Sequence, residues 1–225
     1  MPMTLPPITL VSLQVGQPQT LGQADATDPM DHPWTTGFFK QPVSGPVWLG
    51  STHLEGDGQA DLKNHGGVDK AVLAYSADHY DLWKLHLNLP HLPPGAFGEN
   101  FTITGQTEAE VCVGDVYAIG DAVVQVSQPR KPCWKLARRW RIADLTQQVL
   151  ANGRTGWYFR VLQTGLVAAG QAVALRERPC PEWPITRAHQ VMHHDLNDKA
   201  AALALADCAL LSDNWRDKLR QRIGG

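Results

Sequence analysis

The chain has 225 residues, 43% of them hydrophobic and 19% charged, with a formal net charge of -2 at pH 7. That length supports a substantial core without disulfide or metal staples. The near-neutral charge supplies no global field toward nucleic acid or an anionic membrane, so neither is an expected partner. Four widely spaced cysteines, Cys112, Cys133, Cys180 and Cys208, form no C-x-x-C pair. This argues against a structural zinc and fits reduced thiols. The opening MPMTLPPITLVSLQVGQPQ lacks a basic n-region, its apolar residues are broken by Pro and Gln, and no stretch approaches a membrane span. The expected location is therefore the cytoplasm.

Sixteen prolines and twenty glycines punctuate the sequence, mostly in its first four-fifths. The first strands are expected at 8–15 and 43–49, separated by a polar, flexible loop over 17–32. A third is expected at 70–75. Ser76 then caps a helix that carries Tyr80, Trp83 and Leu87 at helical spacing and ends near Pro90. A strand at 100–103 follows, and strands at 116–119 and 122–126 flank Gly120-Asp121 as a hairpin. A second helix begins near Ala143, carries Leu145, Val149 and Leu150, and stops at Asn152-Gly153. These are the only two helices expected before residue 180. The result is a mainly β fold, a barrel or closed sandwich with a few helices.

Past Pro179-Cys180-Pro181 the pattern becomes helical. Thr186 is expected to cap a helix over 187–194, and Asn197 or Asp198 a second one reaching Ala206. Ser212 opens a third through Trp215, Leu219 and Ile223. The reading divides the chain into a β domain over 1–178, a linker over 179–185 and a three-helix extension over 186–225. An extension of about forty residues is too small to stand alone and should pack on the β domain or on a partner.

The strongest local signal is Ser127-Gln128-Pro129-Arg130-Lys131-Pro132-Cys133-Trp134-Lys135. A strand runs into a Pro-x-x-Pro turn and delivers a cysteine among Arg130, Lys131 and Lys135. Cations favour the thiolate, the form that binds soft metals or attacks electrophiles. The bland alternative is a buried structural cysteine. In His65-Gly66-Gly67-Val68-Asp69-Lys70, paired glycines expose backbone N–H groups as a potential anion nest between His65 and Lys70; a plain turn is the alternative. Asn100 opens a strand after Gly95-Ala96-Phe97-Gly98-Glu99, and Lys40 precedes another. An Asx turn and a solvated lysine are their plainer readings. Cys112 lies in an apolar run and reads as core, and His193-His194 as surface.

Taken together, PVSGPVWLG, LEGDGQADLKNHGGVDKAVLAY, GAFGENFTITGQTEAEVCVGD, VSQPRKPCWKL and GRTGWYFRVLQTG resemble the MOSC family, and within it the YiiM-type bacterial members. The tail, with PEWPIT and LSDNW, is similar to the three-helix extension of that subgroup. The resemblance implies a MOSC-type β-barrel and a molybdenum cofactor (molybdopterin). It places Cys133 as the protein ligand to the metal. It also implies reduction of N-hydroxylated small molecules such as hydroxylaminopurine to the amine, with electrons drawn from an external redox protein. Chemistry adds Lys40, Gly66, Gly67, Asp69, Lys70, Asn100 and Arg130 as cofactor-binding candidates, and His65 as both a cofactor-binding and a proton-managing candidate. A homodimer is compatible with the sequence.

Two other readings stay open at this stage. In one, Cys133 carries a persulfide or hands on the cofactor without turnover, since MOSC domains also end cofactor sulfurases. In the other, Cys133 with His65 acts as a cysteine hydrolase or transferase, which needs a third group to orient the histidine; Asp69 is nearby in sequence, but no spacing supports a triad.

Overall fold

A computed structural model describes residues 7–224; the first six residues, which belong to the N-terminal reading above, and Gly225 lie outside the described residues. The chain opens with β1 (Thr9–Val15), β2 (Gln19–Leu21), β3 (Trp34–Thr36), β4 (Gln41–Pro42) and β5 (Val47–Leu49). It continues through α1 (Leu62–His65), β6 (Val72–Ser76), α2 (Tyr80–Leu87), β7 (Phe101–Thr104), β8 (Val116–Ile119) and β9 (Ala122–Pro129). Next come α3 (Lys135–Trp140), α4 (Leu145–Asn152), β10 (Trp157–Gln163), β11 (Gly165–Val167) and β12 (Ala174–Glu177). Three helices finish the chain: α5 (Ile185–His193), α6 (Lys199–Ala206) and α7 (Asp213–Gly224).

Eight strands share one sheet in the order β12-β8-β9-β10-β6-β7-β1-β4. Pairings are antiparallel except β6 with β7, which run parallel. A parallel pair needs a crossover, and α2 lies in it. The open edge of β1 is filled by the segment entering β12. Leu10 N donates to Gln171 O at 3.0 Å, Gly170 N to Leu10 O at 2.7 Å, and Val173 N to Ile8 O at 2.9 Å. These bonds bring the sheet round onto itself, which satisfies edge groups that would otherwise be exposed. Leu10, Leu13, Phe101, Ile103, Val124, Val126, Trp157 and Phe159 fill the interior.

β9 is the organising strand. Val, Gln and Ser alternate along it, and it pairs with β8 through the turn at Gly120-Asp121 and with β10 on its other side. Its last residue, Pro129, has no N–H to extend the ladder. The chain therefore leaves the sheet there, and Pro132 follows before Cys133.

Several expectations hold in detail. Gly153 caps α4 with φ 73°, and the side chain of Asp198 accepts from Ala201 N at 2.8 Å; Ser76, expected to cap α2, instead accepts from Asp78 N and caps the 3-10 turn Ala77–His79 that leads into it. Others need correction. The strand expected at 43–49 starts later, at Val47; the one expected at 70–75 starts at Val72, because Val68–Lys70 forms a 3-10 turn. α5 starts at Ile185 after Pro184 rather than at a Thr186 cap. Two helices before residue 180 were not expected, α1 and α3. α3 has no side-chain cap bond at Trp134, so it carries no N-terminal signature. The polar stretch 17–32 holds β2, paired with β3, and a 3-10 turn at Pro29–Asp31. Arg138 donates to the carbonyls of Met30, Pro29 and His32 there, and Arg141 pairs with Asp28 and Asp31.

The helical extension docks on the outer side of β9. Ser212 N donates to Ser127 O at 2.9 Å and Ser212 Oγ to Gln128 Oε1 at 2.8 Å. Ile185, Ala188, Leu205, Leu211, Trp215 and Leu219 belong to the same continuous apolar core as the barrel residues. Burying side chains of this size stabilises by about 1.5–3 kcal/mol each, so docking on the barrel gives these short helices the burial they lack alone.

Candidate functional site

At the end of β9 the chain turns through Arg130 to Cys133 and passes directly into α3. Opposite lie the segment 36–40 leaving β3, the loop 57–61, α1, and the start of β7. Together they form a small cleft of about 80 Å³ lined by Lys40, Asp57, His65, Asn100, Arg130 and Cys133, among others. Gly37 and Gly58 allow its walls to approach closely. A Cβ on Gly37 would sit 2.7 Å from Gly58 O, and one on Gly58 2.7 Å from Pro18 Cδ.

Asp57 fixes one side of the cleft. It is 5% exposed. Its Oδ1 accepts from Gly16 N at 2.9 Å and from Lys40 Nζ, and its Oδ2 accepts from Asn100 Nδ2 at 2.9 Å. Asn100 Oδ1 accepts from Leu73 N at 3.2 Å, tying the network to β6. Burial pushes the Lys40 ammonium down from its ordinary pKa, and the Asp57 carboxylate opposes that shift. Asp57 was not singled out from the sequence, because its partners lie far along the chain.

Arg130 stands in contrast. It is 3% exposed, its Nη1 is buried without a partner, and its guanidinium makes no hydrogen bond among the described residues. It lies 5.7 Å from the centroid of the Phe38 ring. A buried guanidinium without an acceptor is costly unless an anion completes it. His65, half-buried beside it, is pushed down to about 4 by burial and then by the Arg130 charge, so its ring is neutral at pH 7. Burial raises Tyr158, another residue of the lining, to about 12.

Cys133 is half-buried and lines both this cleft and a second, outer basin. The basin, about 550 Å³, runs between the barrel and the helical extension. Lys63, Lys70, Lys131, His193, Trp215 and Lys218 are in its wall. No group of three or more His, Cys, Asp or Glu able to hold a metal occurs among the described residues. A metal on the Cys133 sulfur therefore takes its other donors from something other than the chain.

The sequence candidates divide accordingly. Lys40, His65, Lys70, Asn100, Arg130 and Cys133 meet in the cleft. Gly66, Gly67 and Asp69 are not in its lining. Gly66 packs on α1, where a Cβ would meet Leu62 O at 2.9 Å, and Gly67, at φ 95°, opens the 3-10 turn. Asp69 Oδ1 accepts from Arg160 Nε at 2.8 Å and pairs with its Nη2. Asp69 is thus held by Arg160, and it makes no hydrogen bond to His65 among the described residues. His193 is not a surface residue either. It is half-buried, 4.9 Å from the His189 ring and 5.8 Å from Trp215, centroid to centroid.

A family model described as MOSC domain matches residues 61–174, and one described as YiiM-like, 3-alpha helix domain matches residues 183–224. The uncharacterized protein YflK of Bacillus subtilis is 43% identical over 92% of this chain and 91% of its own. A protein named Reductase from Gibberella moniliformis is 36% identical over 84% of this chain; the chain spans 34% of that longer protein. Among solved structures, YiiM from Geobacillus stearothermophilus superposes with a TM-score of 0.81 at 36% identity, covering 96% of this chain and 100% of that one.

Proposed function

The chain belongs to the MOSC family, among the YiiM-type members with a three-helix extension, and from that premise we propose that it binds a molybdenum cofactor through Cys133 and reduces N-hydroxylated compounds to amines. The observation that carries this reading is the meeting of Cys133 with a buried, unpartnered Arg130 in one cleft. An anionic cofactor supplies the acceptor that Arg130 lacks, and a single thiolate suits a metal whose remaining donors come from a dithiolene. The name Reductase, borne by a longer relative, points the same way.

In this reading Arg130 and Lys40 hold the anionic part of the cofactor, with Asn100 kept in place by Asp57 beside them. When bound, the cofactor supplies the two-electron redox centre of the reaction. Reduction of R–NHOH to R–NH2 takes up two electrons and two protons, breaks the N–O bond and releases water. The neutral His65 ring carries one N–H and one lone pair, so it can donate a proton at one nitrogen and accept one at the other. Electrons come from a separate redox protein, since the sequence carries no flavin, haem or iron–sulfur motif.

The test is reduction of hydroxylaminopurine by a chemical electron donor, using protein made in a host that loads molybdenum enzymes. Turnover proportional to molybdenum content supports the reductase. Stoichiometric molybdenum with no turnover on any N-hydroxylated compound assigns the chain to cofactor carriage instead.

A further inference from the structure

The outer basin has an electrostatic character unlike that of the chain as a whole. Lys63 of α1, Lys70 of the 3-10 turn, Lys131 of the Pro-x-x-Pro turn and Lys218 of α7 all line it, against one carboxylate, Asp61. They come from four separate segments, and none forms an ion pair among the described residues. Asp61 spends its oxygens on Asn64, capping α1. Burial first, and then the nearby charge of Lys218, push the Lys70 ammonium below its ordinary pKa. Converging like charges raise the energy of the empty basin, and an anion between them relieves it.

The wall between the lysines is of another kind. Met192 of the extension and the exposed Trp134 offer apolar and aromatic surface, the buried Trp215 borders them, and the Nε2 of His193 is buried with no partner. A flat heteroaromatic ring with polar edges fits such a wall. The ring end and the anion end share one basin, and Cys133 lies at its junction with the cleft.

We propose that this basin selects phosphorylated substrates, so that the preferred N-hydroxylated compound is a nucleoside monophosphate rather than the free base or nucleoside, with Lys131 and Lys218 as specificity-determining residues. The proposal rests on the reductase reading for the reaction and on the basin for the substrate class. It also gives the extension a function, since Lys218, Trp215 and His193 come from it.

The experiment compares N6-hydroxyadenosine with its 5′-monophosphate on the cofactor-loaded protein, with a chemical electron donor. The monophosphate is expected to have a kcat/KM about tenfold or more above that of the nucleoside, the scale of one charge-assisted contact. That ratio is expected to fall with rising salt and toward one in the double variant Lys131→Gln, Lys218→Gln. Lys84→Gln, outside the basin, should keep it. Both replaced lysines are exposed, so the variants should fold. Equilibrium binding of adenosine 5′-monophosphate against adenosine, on the same loaded protein, reads the subsite without turnover. Tighter, lysine-dependent binding of the monophosphate with no reduction of either N-hydroxy compound upholds the subsite and sinks the reductase. Equal kcat/KM for the two compounds overturns the proposal while leaving the reductase intact. So does a preference that the lysine substitutions leave unmoved. A ratio near one, with lysine-dependent electron transfer from an acidic redox protein, assigns the lysines to docking and also overturns it.

Discussion

In the inner cleft Lys40, Asp57 and Asn100 satisfy one another, whereas across Cys133 in the outer basin Lys63, Lys131 and Lys218 have no carboxylate partner. The first arrangement is rigid and leaves one prepared vacancy for charge, at Arg130. The second is formed by exposed lysine side chains that solvent screens. A cofactor held for the life of a protein suits the first, and a substrate that must leave after each turnover suits the second. Burial sets how much each charge matters, because a charge in a dry cleft interacts several times more strongly than one facing water.

That contrast can be broken first at Asp57. Asp57→Ala leaves Lys40 buried and Asn100 short of an acceptor, and should destabilise the fold by about 3–5 kcal/mol, measured by urea unfolding. Lys218→Gln in the basin should change stability by less than about 0.5 kcal/mol. Equal costs at the two sites would erase the distinction.

The barrel and the extension offer a second comparison. Leu219 of α7 is fully buried in the core that also holds Val126 and Phe159. Leu219→Ala should therefore cost about 2–5 kcal/mol and move a single cooperative unfolding transition. Separate barrel and extension transitions would show that the two are independent units.

A smaller effect is expected with pH. His65 and His193 are both held at about 4 by burial first, against an ordinary value of 6.5. Between those values the unfolded chain binds more protons than the folded one, so stability falls as pH drops from about 6.5 to about 4. Above that window the two residues contribute no slope. His193→Gln should flatten the decline, read as a smaller difference in urea midpoint between pH 7 and pH 5.

Much of this was legible in the sequence. Pro129 and Pro132 around Arg130 and Lys131 announced a fixed turn at a strand end, and Gly120-Asp121 announced the hairpin that supports it. Lys40 and Asn100 were recognisable as candidates, but not the carboxylate that joins them. Asp57 is 17 residues from Lys40 and 43 from Asn100, and no local pattern links such positions. α3 escaped because its first turn has no capping side chain and its Arg138 and Arg139 serve distant carbonyls. The extension was legible as helices but not as a wall of the basin. Its placement depends on Ser212 reaching β9 and on Trp215 reaching the core, contacts made only after the chain has folded.

The most direct test of the central claim is the molybdenum content of purified protein, from a cofactor-competent host, for the native chain, Cys133→Ser and Cys112→Ser. Cys112 is buried beside the barrel's entry to the extension, away from the cleft, and its Sγ faces Pro181 O at 3.7 Å. The account predicts near-stoichiometric molybdenum in the native protein and in Cys112→Ser, and loss of most of it in Cys133→Ser. Retention of molybdenum by Cys133→Ser, or its absence from the native protein in a host that loads other such enzymes, would contradict it.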